Sequence, residues 1–111
     1  MSRARAKAVL ILAAYPRLAP AERAARDLVA SRLAACATVT SGGRAVYRWE
    51  GRMRREPSVM LWGKTVPSKA RAAMARLRAA HPDRVPEILI LPVLGGHAPY
   101  LAWLRREVTG P

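Results

Sequence analysis

The chain has 111 residues, of which 20 are basic (17 arginines) and 7 acidic, for a net charge of +13. That length bounds it to one domain, and a single cysteine, Cys36, excludes an internal disulfide or a cysteine-rich zinc cluster and fits a reducing cytoplasm. No apolar run approaches the roughly 18 residues of a membrane helix, and arginine spread along the whole chain predicts only non-specific attraction to nucleic acid.

Residues 1–7 read as a disordered basic lead and 8–111 as one domain. The basic start before an apolar run imitates a short secretion signal, but AVLILAA, Ala8–Ala14, fits a buried first strand. PAERAARDLVASRLAAC then predicts a helix from Pro20 to Cys36. Its inner face would carry Ala21, Ala25, Leu28, Val29 and Leu33, with Glu22/Arg26 and Arg23/Asp27 paired outside.

Cys36–Glu50 reads as one long strand bent at Gly42-Gly43. Alternation sets Ala45, Tyr47 and Trp49 on one face and Val46, Arg48 and Glu50 on the other. Gly51 starts a turn surrounded by Arg52, Arg54 and Arg55, and Ser58–Val66 returns as the second hairpin strand. Pro67-Ser68 opens a second helix, Ser68 being its expected N-cap, with Ala70, Ala73, Met74 and Leu77 inside. It stops at His81-Pro82, because the residue before proline avoids helical geometry. Glu87–Leu94 reads as a buried strand broken by Pro92, and a short helix follows from Pro99.

Strand, helix, strand, strand, helix, strand and a terminal helix make a split βαβ, ferredoxin-like α+β sandwich. Right-handed crossovers place both main helices on one face of the sheet. The other face is then apolar and uncovered, and the strand edges are unpaired, so a homo-oligomer is expected.

Five segments in register resemble the CutA family of divalent-cation tolerance proteins: LAAC at Leu33–Cys36 followed by ATV, YRWEG at Tyr47–Gly51, KT at Lys64-Thr65, HPDRVPEI at His81–Ile88 and YLAWL at Tyr100–Leu104. The resemblance implies a PII-like homotrimer, a role in tolerance to copper and other divalent metals, and no established enzymatic reaction. It also implies an intersubunit cleft, for which Tyr47, Trp49, Lys64, Arg84, Glu87, Tyr100 and Trp103 are the candidates. Departures fall on that cleft. Ala45 stands where the family has serine, Ser58 where it has glutamate, and Asp83-Arg84 where it has tyrosine-glutamate.

Imidazole, thiolate and carboxylate are the metal-binding types. The copper ligands implied by the family find Ala13 near the end of the first strand and Ala80-His81 before the motif proline, which leaves His81. Cys36 reads as a small core residue or a soft-metal contact. No cofactor is required, and copper or another divalent cation is expected as a weakly held ligand. Glu87 is expected to accept from Lys64 or the Tyr47 hydroxyl, and Tyr47, Trp49 and Trp103 to pack an interface. His97 lies in a loop with no placed partner, and neither glycine pair has nucleotide-loop spacing. The second functional reading is a sensor of small anions, drawn into the cleft by Arg84, Lys64 and neighbouring arginines.

Overall fold

Ala8–Tyr15 form the strand on which the fold is built, β1, because its odd-numbered residues can be buried along their whole length. In the computed structural model, which describes residues 5–109, Val9, Ile11, Ala13 and Tyr15 are all buried. Around β1 run α1 (Leu18–Ala30), β2 (Cys36–Trp49), β3 (Arg52–Thr65), α2 (Ala70–Ala80), β4 (Ile88–Val93) and α3 (Ala98–Thr109). The sheet order is β2-β3-β1-β4 with every neighbouring pair antiparallel, the ferredoxin-like arrangement expected. Of the expected lead, residues 1–4 lie outside the described residues, and the Lys7 N–H donates to Val93 O at 2.7 Å.

One core cluster joins Ile11, Ala13 and Tyr15 of β1 and Val59 and Leu61 of β3 to Ala21 and Leu28 of α1 and Ala73 and Leu77 of α2. Both long helices therefore cover the same face. A second cluster, Ala8, Ala35, Val66, Leu104 and Val108, seats α3 at the end of the sheet. Leu10, Leu12 and Ala14 alternate to the opposite face, and the ladder sets Met60, Trp62, Lys64, Leu89 and Leu91 beside them. Within the subunit α3 reaches only the Leu10–Lys64 end of that set, at a small cavity shared with Tyr100, Leu101 and Leu104; Leu89 and Leu91 are exposed.

Several local expectations are corrected. The first helix ends at Ala30 because Arg32 takes a left-handed conformation (φ 60°), which breaks the helical ladder. Cys36 is therefore the first residue of β2 rather than a helix end, and Val29 is exposed. Asp27 does not pair with Arg23; it accepts from Nε and Nη2 of Arg76 at 2.5 and 2.9 Å, tying α1 to α2. That hydrogen bond holds the Asp27 carboxyl below its usual range. Both side chains are half exposed, so water and salt screen the pair and it is a weak tether.

The second hairpin strand begins at Arg52, six residues earlier than expected, so Arg52, Arg54 and Arg55 belong to a ladder and not to a turn. The loop is only Glu50-Gly51, both at positive φ (51° and 78°), the mirror-image turn that suits hairpin twist. Ser68 makes no cap bond; Pro67–Lys69 form a short 3-10 turn leading into α2. Pro92 does not break β4, which is exposed rather than buried and lies at the sheet edge, where a missing N–H is tolerated.

The expected bend at Gly42-Gly43 is present: the register shifts between Thr40 and Gly43. A Cβ on Gly43 would stand 2.9 Å from the Ser58 carbonyl oxygen. Gly43→Ala is therefore expected to lower stability by about 1–3 kcal/mol through overpacking, read from the urea midpoint. An unchanged midpoint would show that the β2–β3 ladder yields freely at this point.

Candidate functional site

Cross-strand register builds the site. Residues 52–57 of β3 pair only with β2, beyond the reach of β1, so the hairpin continues past the core as a two-stranded ribbon. Ala45 opposes Glu56, Tyr47 opposes Arg54 and Trp49 opposes Arg52, which puts these side chains on one ribbon face. Between that face and the segment joining α2 to β4 lies a cleft of about 890 Å³. Tyr47, Trp49, Arg54 and Glu56 line one wall, Asp83, Arg84, Val85 and Glu87 the other, and Tyr15 also contributes.

The Tyr47 hydroxyl donates to the Glu56 carboxylate. That bond, followed by burial and by the charges of Glu56 and Asp83, raises the phenol above its ordinary range, with Arg54 opposing. Glu87 receives neither of its expected bonds, because Tyr47 is spent on Glu56 and Lys64 is elsewhere; its backbone oxygen accepts from Ala14 N–H at 3.2 Å. The cleft sets Glu50, Glu56, Asp83 and Glu87 against Arg54 and Arg84. The positive cleft expected from Arg84 and Lys64 is not what these residues build.

His81 stands behind the cleft with its side chain fully buried. Its ring stacks on Tyr15 at 4.3 Å between centroids. The Asp83 backbone N–H donates to Nδ1 at 3.0 Å, so the ring proton sits on Nε2, which donates to Ala14 O at 2.7 Å. Both nitrogens are thus engaged and no lone pair is left for a metal. HPDRVPEI stops α2 and ties the stop to β1: the His81 backbone is extended (φ −72°, ψ 138°) and its ring anchors the last residues of the strand.

Cys36, Lys64, Tyr100 and Trp103 collect at the other end of the sheet. Lys64 Nζ donates to Thr38 Oγ1 at 2.6 Å and stands 3.7 Å from Cys36 Sγ. Burial, followed by the charge and hydrogen bond of Cys36, raises the Tyr100 phenol, and Tyr100 lies against Trp103 with ring centroids 5.5 Å apart. A second cavity of about 240 Å³ here is lined by Leu10, Lys64, His97 and Tyr100 among others. The predicted residues therefore divide into two groups: Tyr47, Trp49, Arg84 and Glu87 at the cleft, Cys36, Lys64, Tyr100 and Trp103 away from it. His81 and Cys36 are not brought together, and the described residues hold no cluster of three His, Cys, Asp or Glu side chains fit for a metal.

Sequence pattern alone does not single out Glu56 or Tyr15. Glu56 becomes visible only with the full length of β3, which sets it diagonally across from Tyr47. Tyr15 ends β1 and carries a buried hydroxyl with no hydrogen-bond partner.

A four-stranded antiparallel sheet with two helices on one face, a long projecting hairpin and a lateral cleft defines a ferredoxin-like α+β protein with an unpartnered sheet face. The chain matches the family model of the CutA1 divalent ion tolerance protein over residues 9–107. It is 41% identical over 101 residues to the divalent-cation tolerance protein CutA of Pectobacterium atrosepticum, covering 91% of this chain and 92% of the relative. The crystal structure of CutA from Xylella fastidiosa superposes with a TM-score of 0.89 at 38% identity, over 92% of this chain and 98% of that one. The divalent cation tolerance protein of Thermus thermophilus gives 0.87 at 35% identity, over 90% and 97%. The chain belongs to the CutA1 divalent ion tolerance family.

Two outcomes are expected of the His81–Tyr15 pair. His81→Ala leaves Ala14 O and Asp83 N–H without partners and removes the stack, which should cost about 2–4 kcal/mol in urea denaturation; a loss below ~0.5 kcal/mol would mean that the ring ties nothing. Burial pushes the Tyr15 phenol up to about 12. The unfolded chain releases this proton near ~10 and the folded one later, so stability is full below ~10 and falls as pH rises toward 12. Tyr15→Phe should flatten that alkaline loss, and an unchanged slope would assign it to other groups.

Proposed function

We propose that the chain works as a homotrimeric, non-catalytic binding protein in divalent-cation tolerance, with copper as the cation and the cytoplasm as the compartment. The observation that carries this reading is the uncovered sheet face. Leu10, Leu12, Trp62, Leu89 and Leu91 share it, and Leu89 is 52% exposed. A contiguous apolar face of this kind is costly in water and is relieved by a second subunit. Family membership supports the cation role. Among the described residues no helix is long and apolar enough to cross a membrane, and the lone cysteine fits the reducing compartment.

Cys36 lies on the same face, opposite Lys64 and in line with Leu10. Assembly through that face would bring several copies of Cys36 into one shared surface. Thiolate donors select Cu(I), so the reading puts the cation between subunits and leaves His81 to hold the HPDRVPEI segment. Nothing in this role needs a chemical step. An anion sensor finds less support, because carboxylates outnumber guanidinium groups in the cleft.

The test is calorimetric titration of metal-free protein with Cu(I), for the wild type, Cys36→Ser and His81→Ala, with mass from light scattering. Expected are a trimer mass, saturable uptake at a fixed ratio per trimer, at least a roughly tenfold loss of affinity in Cys36→Ser, and retained binding in His81→Ala. A monomer mass, or weak unsaturating heats in the wild type, would end the proposal.

A further inference from the structure

Acids are scarce in this chain, and most of them meet in one place. Four of the seven, Glu50, Glu56, Asp83 and Glu87, line the cleft, against two of the 20 basic side chains, Arg54 and Arg84. Among the described residues the one Arg–carboxylate ion pair is Arg76–Asp27, between α1 and α2, so neither cleft arginine pairs with the acids around it. The carboxylates are thus brought together and left without a cation. Tyr15 adds an independent feature. It lines the same cleft, is 3% exposed, and its buried hydroxyl has no hydrogen-bond partner. A buried hydroxyl left unpaired is costly, and an N–H donor carried by a ligand would satisfy it.

The cleft's own groups narrow the ligand to one chemistry. Its acids are spread over both walls, and among the described residues no three such side chains are grouped for a metal ion, so they suit an extended organic cation. The field of a chain with net charge +13, and the two arginines in the walls, repel a polycation. A ligand with one cationic head and one carboxylate meets both signs. Tyr47 and Trp49 offer ring faces beside the acids, on which a planar guanidinium group stacks better than an ammonium. Glu56, though it accepts from the Tyr47 hydroxyl, keeps acceptor sites for a further donor. The volume of about 890 Å³ lies within the roughly 300–1,000 Å³ of small-molecule sites.

We infer that the cleft binds a small guanidinium zwitterion of the arginine type. Its guanidinium group lies among Glu56, Asp83, Glu87 and Tyr15, and its carboxylate pairs with Arg84. Asp83-Arg84, the pair by which HPDRVPEI departs from the family pattern, supplies one group of each sign, so this ligand is matched to this chain in particular. All the residues involved belong to one subunit and Cys36 is not among them. The site therefore goes beyond the cation role proposed above and stands or falls apart from it.

Calorimetric titration of the wild type at about 50 mM NaCl tests the site with three probes. They are L-arginine, L-citrulline, whose neutral urea has the shape of the guanidinium head, and agmatine, which lacks the carboxylate. L-Arginine is expected to bind saturably, one per chain, and each of the other two at least roughly tenfold more weakly. Arg84→Gln should abolish the preference for L-arginine over agmatine. The combined Glu56→Gln, Asp83→Asn, Glu87→Gln variant should abolish the preference over L-citrulline. Near-ultraviolet circular dichroism confirms that each variant is folded, and the comparison of probes on the wild type needs no variant. Absence of saturable heat with L-arginine, equal affinity for L-citrulline, or binding indifferent to the loss of the three acids would overturn the inference.

Discussion

Two helices on one side of a four-stranded sheet leave the other side without cover, and most features of this molecule follow from that asymmetry. Alternation along β1 sends Ile11, Ala13 and Tyr15 under α1 and α2 and sends Leu10 and Leu12 the other way. The helices cannot serve both faces, since each crossover returns the chain to the same side. Among the described residues α3 is the one remaining helix, and it packs at the sheet's end with Ala8, Ala35 and Val66. An apolar face left open in this way, with Leu89 and Leu91 exposed, is the observation on which the proposed assembly rests.

The same economy explains the HPDRVPEI segment. A proline after His81 forces extended backbone and ends α2, but a loop of this kind needs an anchor if it is to shape a cleft. The imidazole supplies one, bridging the end of β1 and the Asp83 amide while its ring lies on Tyr15. A ring so engaged is a poor metal ligand, because coordination needs the lone pair that already accepts a hydrogen bond. The cation site proposed above therefore falls on the open sheet face, where Cys36 stands beside Lys64.

Charge is distributed by the tertiary fold in a way composition does not reveal. A net charge of +13 suggests a basic surface throughout. Instead, the hairpin and the loop before β4 bring their acids, 27 or more residues apart between the two segments, into one concavity and leave most arginines outside.

Element order, the two-glycine bend, the stop at His81 and the family itself can be read from the sequence, because each rests on local pattern: apolar runs, alternation, proline and glycine geometry, and motifs in register. The errors arise where local pattern is silent. Residues 52–57 look like a charged turn, since nothing but pairing with β2 makes them a strand. Pro92 looks like a break until the sheet order puts β4 at an edge. His81 looks like a ligand until both of its nitrogens are seen to be bonded to residues distant in sequence or folded back upon it. By charge alone Lys64 belongs with Tyr47 and Glu87, but the register carries it to Cys36. Sequence determined the order of strands and helices; only the tertiary structure decided how far they run and which side chains meet, because pairing, register and sheet order are not local properties of the chain.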